Sequence, residues 1–298
     1  MADTAQFLVG TASWTDPTLV KSDLFYPPTA NTAAARLAFY ASHFATVEVD
    51  STYYAILSED VAKLWVERTP PGFVFNVKAF AWLTQHPADT TRLPAAIKSL
   101  LPEELKSTPR IKNPPSEVLN LAFQMFWSSL KPLREAGKMG RVLFQLPPYL
   151  TWRESNLEYL SALSERLPSA AIAVEFRHPS WTQSQRRRTD TLDFLRDHQF
   201  AYVSIDAPAP SGLMPLLAAT ADDAYIRFHG RNAENWFKRN VSAAERFKYL
   251  YAERELADWA GRLKELSGVR RAFAIFNNCY SNFGIMNATT MREMLSRT

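Results

Sequence analysis

In the stretch Thr46-Val-Glu-Val-Asp50, an extended chain puts Val47 and Val49 on one side and Thr46, Glu48 and Asp50 on the other. Phe73-Val-Phe-Asn-Val-Lys78 divides in the same way, with Phe73 and Phe75 opposing Asn76 and Lys78. So does Ile172-Ala-Val-Glu-Phe-Arg177, where Glu175 and Arg177 oppose Ile172, Val174 and Phe176. Similar short apolar segments occur at Phe7–Thr11, Arg141–Gln145, Ala201–Asp206, Ala224–His229 and Arg271–Asn278, which makes eight. Between them apolar residues recur at spacings of three and four, as in Leu37, Tyr40 and Phe44; Val61, Leu64 and Trp65; and Leu256, Trp259, Leu263 and Leu266. Ser58, followed by Glu59 and Asp60, reads as a helix N-cap with an acidic first turn.

Eight βα units predict an α/β protein with a single (β/α)8 TIM barrel spanning residues 1–298. The long connection 79–140, between the third and fourth segments, holds Pro94, Pro102, Pro109, Pro114 and Pro115. It reads as an insertion with one docked helix, Glu117 to Ala136. If the larger apolar face of each strand meets the helices, the polar set points into the barrel. That set includes Gln145 opposite Phe144, Ser204 and Asp206 opposite Val203 and Ile205, and Arg227 and His229 opposite Ile226 and Phe228. Asn278 shares a face with Ala274 and Phe276, opposite Phe273 and Ile275. These polar groups gather at the carboxyl ends of their strands, where active sites of such barrels lie.

With 298 residues, 47% apolar and 21% charged, the composition excludes disorder and collagen-like structure. A net charge of +4 does not call for a nucleic-acid partner. No run of about 18 apolar residues occurs, and the segment beginning at Met1 lacks the pattern of a signal peptide. The lone cysteine, Cys279, can form no internal disulfide, so the expectation is a cytoplasmic protein away from membranes. No phosphate-binding glycine loop is present, and Cys279 reads as a small buried side chain.

The chain also resembles the YecE-like family of uncharacterised (β/α)8 proteins. The resemblance rests on Gly10-Thr-Ala-Ser-Trp14, Phe25-Tyr-Pro-Pro28, Phe39-Tyr-Ala41, Thr46-Val-Glu-Val-Asp-Ser-Thr-Tyr-Tyr54, Phe73–Lys78, Leu143-Phe-Gln-Leu-Pro-Pro148, Val174-Glu-Phe-Arg-His-Pro-Ser-Trp181, Ile226-Arg-Phe-His-Gly-Arg231 and Phe276-Asn-Asn278. It implies the barrel but no reaction. Two positions depart from the family's pattern: Asp50 stands where Asn is usual, and a Gln precedes the histidine in Ala81-Trp-Leu-Thr-Gln-His86.

The leading expectation for function is acid–base chemistry on a small phosphorylated, carboxylated or sugar-like molecule, without a cofactor. Glu48 and Glu175 are candidate acid and base, on the premise that burial and like charge raise a carboxyl pKa. Lys78, as a base or carbonyl polariser, and His229 complete the catalytic set. Arg177, Arg227 and Arg231 are shaped to grip an anion. Trp14, Asp50, Tyr53, Gln145, His178, Asp206, Asn277 and Asn278 are expected to line the ligand.

Rival readings stay open. Glu175, Asp206, His229 and Asn278 resemble the metal ligands of xylose-isomerase-like epimerases, with an amide in place of the last carboxylate, and would suit Mg²⁺ or Mn²⁺. Paired carboxylates with Trp14, Tyr53, Trp181 and Trp236 suit a glycoside hydrolase. Arg186–Arg188 and Lys238–Arg239 are basic clusters for a non-catalytic polynucleotide binder, though without stacking aromatics. The polar groups could also be a self-neutralised structural network. His178 and His86 could serve as caps, and His43 and His198 read as helix-surface residues.

Overall fold

The computed structural model describes residues 5–297, so residues 1–4 and 298 of the expected 1–298 span lie outside it. Among the described residues ten strands occur in chain order: β1 (Gln6–Thr11), β2 (Thr46–Val49), β3 (Val74–Lys78), β4 (Ala88–Asp89), β5 (Arg110–Ile111), β6 (Met139–Gln145), β7 (Ile172–Glu175), β8 (Ala201–Asp206), β9 (Asp223–Phe228) and β10 (Arg271–Phe276). Eight of them form one parallel sheet in the order β1-β10-β9-β8-β7-β6-β3-β2, and β4 pairs antiparallel with β5. This is a (β/α)8 TIM barrel. The expected join of last strand to first is present, with Gln6 opposite Arg271 and Thr11 opposite Phe276.

Between β1 and β2 the ladder shrinks to a bridge from Ala12 to Glu48. Tyr40, fully buried in the helix Ala33–His43, supplies what the ladder lacks. Its hydroxyl accepts from the Thr11 N–H at 2.8 Å and donates to the Thr46 carbonyl at 3.2 Å. Gly10 is needed at the same seam, because a Cβ there would lie 2.1 Å from the Thr46 carbonyl oxygen. On the other side of β2, Asn76 stitches three strands. Its amide donates to Thr46 Oγ1 at 3.1 Å and accepts from the Arg141 N–H at 2.8 Å, where the β3–β6 register shifts.

The interior and exterior of the barrel form separate apolar clusters. Val47, Val49, Phe75, Val77, Phe144, Val174, Ile226 and Phe228 face the helices, while Leu8, Val74, Leu143, Ala173, Tyr225, Phe273 and Ile275 face inward. The expected alternation therefore holds on β2, β3, β6, β7 and β9. It is reversed on β8, where Val203 and Ile205 point inward and Asp206 points outward. It is likewise corrected after β10, where Asn278 follows Phe276 to the outside.

Local chemistry explains the elements and two further corrections. Ser58 caps the helix Glu59–Glu67 by accepting from the Val61 N–H at 3.4 Å. That helix turns Ala62 and Trp65 to the barrel and leaves Val61 and Leu64 partly in solvent. Beyond Lys78 the chain forms the β4–β5 ladder, two short helices, Ala95–Leu100 and Glu103–Lys106, and then not one long helix but Ser116–Ser129 and Lys131–Glu135. Pro132 explains the break, since its ring removes an N–H and crowds the carbonyl four residues earlier. No helix among the described residues is long and apolar enough to cross a membrane.

Tyr40→Phe tests the seam. It removes one hydroxyl and leaves a buried N–H and a buried carbonyl unpaired, so it should destabilise by about 1–3 kcal/mol in urea unfolding. Amide exchange at Thr11 should accelerate with it. An unchanged midpoint and an unchanged Thr11 amide would show that the closure does not need the hydroxyl.

Candidate functional site

The guanidinium of Arg227 occupies the interior of the barrel near its carboxyl end, fully buried between two carboxylates that are also fully buried. Its Nη2 donates to Glu48 Oε1 at 2.6 Å and its Nη1 to Glu175 Oε2 at 2.5 Å. Strand alternation produces this meeting, because Glu48, Glu175 and Arg227 occupy inward positions on β2, β7 and β9. Glu48 also accepts from the Tyr225 hydroxyl at 2.8 Å, and Gln145 Oε1 accepts from Arg227 at 3.1 Å. Arg177, two residues after Glu175, bonds that carboxylate through Nε and reaches His229 Nε2 at 3.0 Å through Nη2.

A guanidinium can only donate, so His229 accepts at Nε2 and carries its proton on Nδ1. The Asn277 side-chain amide lies 2.8 Å from Nδ1, and a proton there requires that amide to be turned with its oxygen, not its nitrogen, toward the ring. Burial, with the Arg177 charge beside it, lowers the His229 pKa to about 3, and the ring is neutral. Burial alone would raise the Glu175 pKa, but the Arg177 and Arg227 charges hold it well below the usual carboxylate range. The expectation of a raised carboxyl pKa is thus reversed at Glu175: two cations outweigh desolvation.

Toward solvent lie Lys78, Asp50 and Tyr53. The Lys78 ammonium sits 4.6 Å above the Tyr53 ring, and no carboxylate among the described residues comes within 4.0 Å of it. Burial, reinforced by the Arg227 charge and opposed by Glu48, Glu175 and Asp50, lowers its pKa to about 8. Burial raises that of Asp50, against the pull of Lys78. His86 has its ring 5.3 Å from that of Tyr53, and burial with the charges of Lys78 and Arg177 lowers its pKa to about 4. Trp236 and Phe247 cover the His229 ring at 6.2 and 5.8 Å, and the Arg177 guanidinium lies 5.9 Å from the Trp236 ring.

The structure therefore brings together Glu48, Asp50, Tyr53, Lys78, Gln145, Glu175, Arg177, Arg227, His229 and Asn277. Five expected residues lie elsewhere. Asp206 is on the helix side, where it accepts from Tyr251 at 2.7 Å, Trp259 Nε1 at 2.7 Å and Arg231 at 2.6 Å. Arg231 joins that network and also bonds Glu255 at 2.7 Å. Asn278 donates to the Tyr249 carbonyl and to Asn287. Trp14 packs edge-on against Trp65, 5.3 Å away in the outer core, and His178 caps the turn Pro179–Trp181 by accepting from the Ser180 N–H. Trp181 likewise stacks on Phe176 outside the barrel.

With Asp206 and Asn278 on the other face from Glu175 and His229, the proposed metal quartet does not converge. No group of three or more His, Cys, Asp or Glu among the described residues is placed to hold a metal ion. Sequence reasoning missed Tyr225, which has the same inward parity as Arg227 but looks like core, and Phe247, which no local pattern marks.

The family described as "Protein of unknown function DUF72" matches residues 8–298. UPF0759 protein YunF of Bacillus subtilis (strain 168) is 30% identical over 294 residues, covering 96% of this chain and 94% of that protein. A DUF72 family crystal structure from Thermotoga maritima is 31% identical with a TM-score of 0.75, covering 98% of this chain and 100% of its own. Another, from Enterococcus faecalis, is 24% identical with a TM-score of 0.77, covering 98% and 96%.

Two measurements follow from the buried charges. Arg227→Met leaves two buried carboxylates without their cation and should destabilise by about 3–5 kcal/mol; a loss below about 1 kcal/mol would contradict the pairing. The pH dependence has a definite sign. His229 is neutral when folded down to about pH 3 but takes a proton when unfolded below its ordinary 6.5, so stability falls as pH drops below 6.5. Glu175 adds a second loss below its ordinary value of 4.5. His229→Gln should remove up to about 1.4 kcal/mol per pH unit from the slope between the two. An identical slope in that variant would show that His229 is not held neutral.

Proposed function

The chain belongs to the DUF72 family, and from that premise and the geometry of the barrel mouth we propose an enzyme that moves a proton on a small hydroxylated or negatively charged molecule. The observation that carries this reading is the contrast between Lys78 and its neighbours. Glu48 and Glu175 are engaged by Arg227, while Lys78 has no carboxylate partner within 4.0 Å among the described residues. With a pKa lowered to about 8 it exchanges a proton near neutrality, as a general base or acid must. Lys78 is therefore the proton carrier in this reading, and the two glutamates are its fixed support.

Arg177 supplies the grip. It is tied to Glu175 through Nε and to His229 through Nη2, its side chain is 12% exposed at the mouth, and in this reading its guanidinium meets the phosphate or carboxylate of the ligand. Asp50, Tyr53 and His86 stand around the amine as hydroxyl partners. The glycosidase alternative draws less support, because both candidate carboxylates share one guanidinium and Glu175 is held ionised. The lone Cys279 supports a reducing, cytoplasmic setting for this enzyme.

A panel of sugar phosphates, sugar acids and oxo acids, read by thermal shift and calorimetry, tests the proposal. At least one class should raise the melting temperature. Arg177→Met should weaken that ligand about ten- to a hundredfold, the loss of a charged hydrogen bond, and Lys78→Met should abolish turnover. Unchanged binding and turnover in both variants would overturn the reading.

A further inference from the structure

We propose that Lys78 is a nucleophile that condenses with an aldehyde or ketone to form an iminium ion, with the Asp50 carboxyl supplying the proton that lets water leave. This rests on the reading of the mouth as a substrate site and names its substrate class as carbonyl compounds.

The geometry begins with strand register. Val49 lies opposite Val77 in the β2–β3 ladder, so the next residues, Asp50 and Lys78, emerge side by side at the carboxyl ends of adjacent strands. Thr52 ties the two ends together, its hydroxyl donating to the Lys78 carbonyl at 2.6 Å. An amine and a carboxyl held this way on a surface would ordinarily close into an ion pair. Here they do not, since no carboxylate among the described residues lies within 4.0 Å of the amine. Lys78 Nζ rests instead over the face of Tyr53. The backbone of each residue is fixed, and the two side chains are not closed into an ion pair with each other.

The surrounding charges supply suitable protonation states. Glu48 and Asp50 face the amine from β2, Glu175 and Arg177 from β7 and its end, Arg227 and His229 from β9 and its end, and His86 from the connection after β3. Lowered to about 8, the amine is roughly one-tenth neutral at pH 7. Burial raises the pKa of Asp50, which favours the protonated, proton-donating form of that carboxyl. The neutral nitrogen attacks the carbonyl carbon, a C–N bond forms, and the C=O π pair moves to oxygen, which takes up the proton that nitrogen releases. Asp50 then protonates this hydroxyl, the C–O bond breaks and water departs. The nitrogen lone pair closes the C=N bond, giving the iminium ion and the Asp50 carboxylate. No oxidant or reductant is consumed, and the iminium acidifies the adjacent C–H, which joins this step to proton transfer.

Reductive methylation with formaldehyde and cyanoborohydride at pH 7 is the test, because the probe is itself the smallest carbonyl. Peptide mapping should show Lys78 modified at least about tenfold faster than the exposed Lys63 and Lys106. Asp50→Asn should slow Lys78 alone. Glycolaldehyde, dihydroxyacetone and pyruvate with borohydride should then leave an adduct on Lys78 that is absent from the charge-preserving Lys78→Arg variant, whose urea midpoint checks its fold. Lys78 reacting no faster than Lys63, with equal trapping in wild type and Lys78→Arg, would overturn the proposal. If that occurs while ligand stabilisation remains dependent on Arg177, the iminium step falls and the proton-transfer reading stands. If the Arg177 dependence is also absent, both fall.

Discussion

A guanidinium held between two carboxylates inside a barrel constrains everything around it. Arg227 bonds Glu48 and Glu175 where none of the three is open to water. Desolvating such charges costs several kcal/mol per ion, and it is offset only when geometry and additional hydrogen bonds are close to ideal. Tyr225 and Gln145 provide those bonds, and Arg177 provides the second cation that the extra carboxylate needs. β2, β6, β7 and β9 must therefore keep their mutual register at this level, since a one-residue slip would turn a charge toward the helices.

The same constraint distributes the chemistry of the mouth. Glu175, held ionised by two arginines, is a poor proton donor near neutrality, so reactivity passes to groups one layer further out. Lys78 feels the Arg227 charge as well as its own burial, while two of the three carboxylates that attract it, Glu48 and Glu175, are already shared with Arg227. The outcome is an amine poised near neutral pH above a fixed ionic floor. On the far side of the sheet, Asp206 collects Trp259, Tyr251 and Arg231 and ties the end of β8 to the helix Glu253–Lys264, a structural use of the same residue types.

The sequence made the barrel legible because inward polar residues on apolar strands repeat at a two-residue period. Glu48, Lys78, Gln145, Glu175, Arg177, Arg227 and His229 were all placed on the inner face by that parity. It failed where both faces were plausible. On β8, Val203 and Ile205 pack inside with Phe273 and Ile275, while Asp206 finds partners from residues some 25 to 53 positions away, which no local pattern announces. Charge state was also out of reach. A buried carboxyl can move either way, and only the positions of Arg177 and Arg227 decide that Glu175 stays ionised. The break at Pro132, by contrast, was written in the local sequence.

In the proposed reading, the buried ion cluster leaves Lys78 as the reactive group of the mouth. Following the lysine side-chain carbon signals by NMR through a pH titration tests it most directly, with Lys78→Arg assigning the resonance. Lys78 should show its transition near pH 8. A transition at the ordinary value of 10.5 would contradict it.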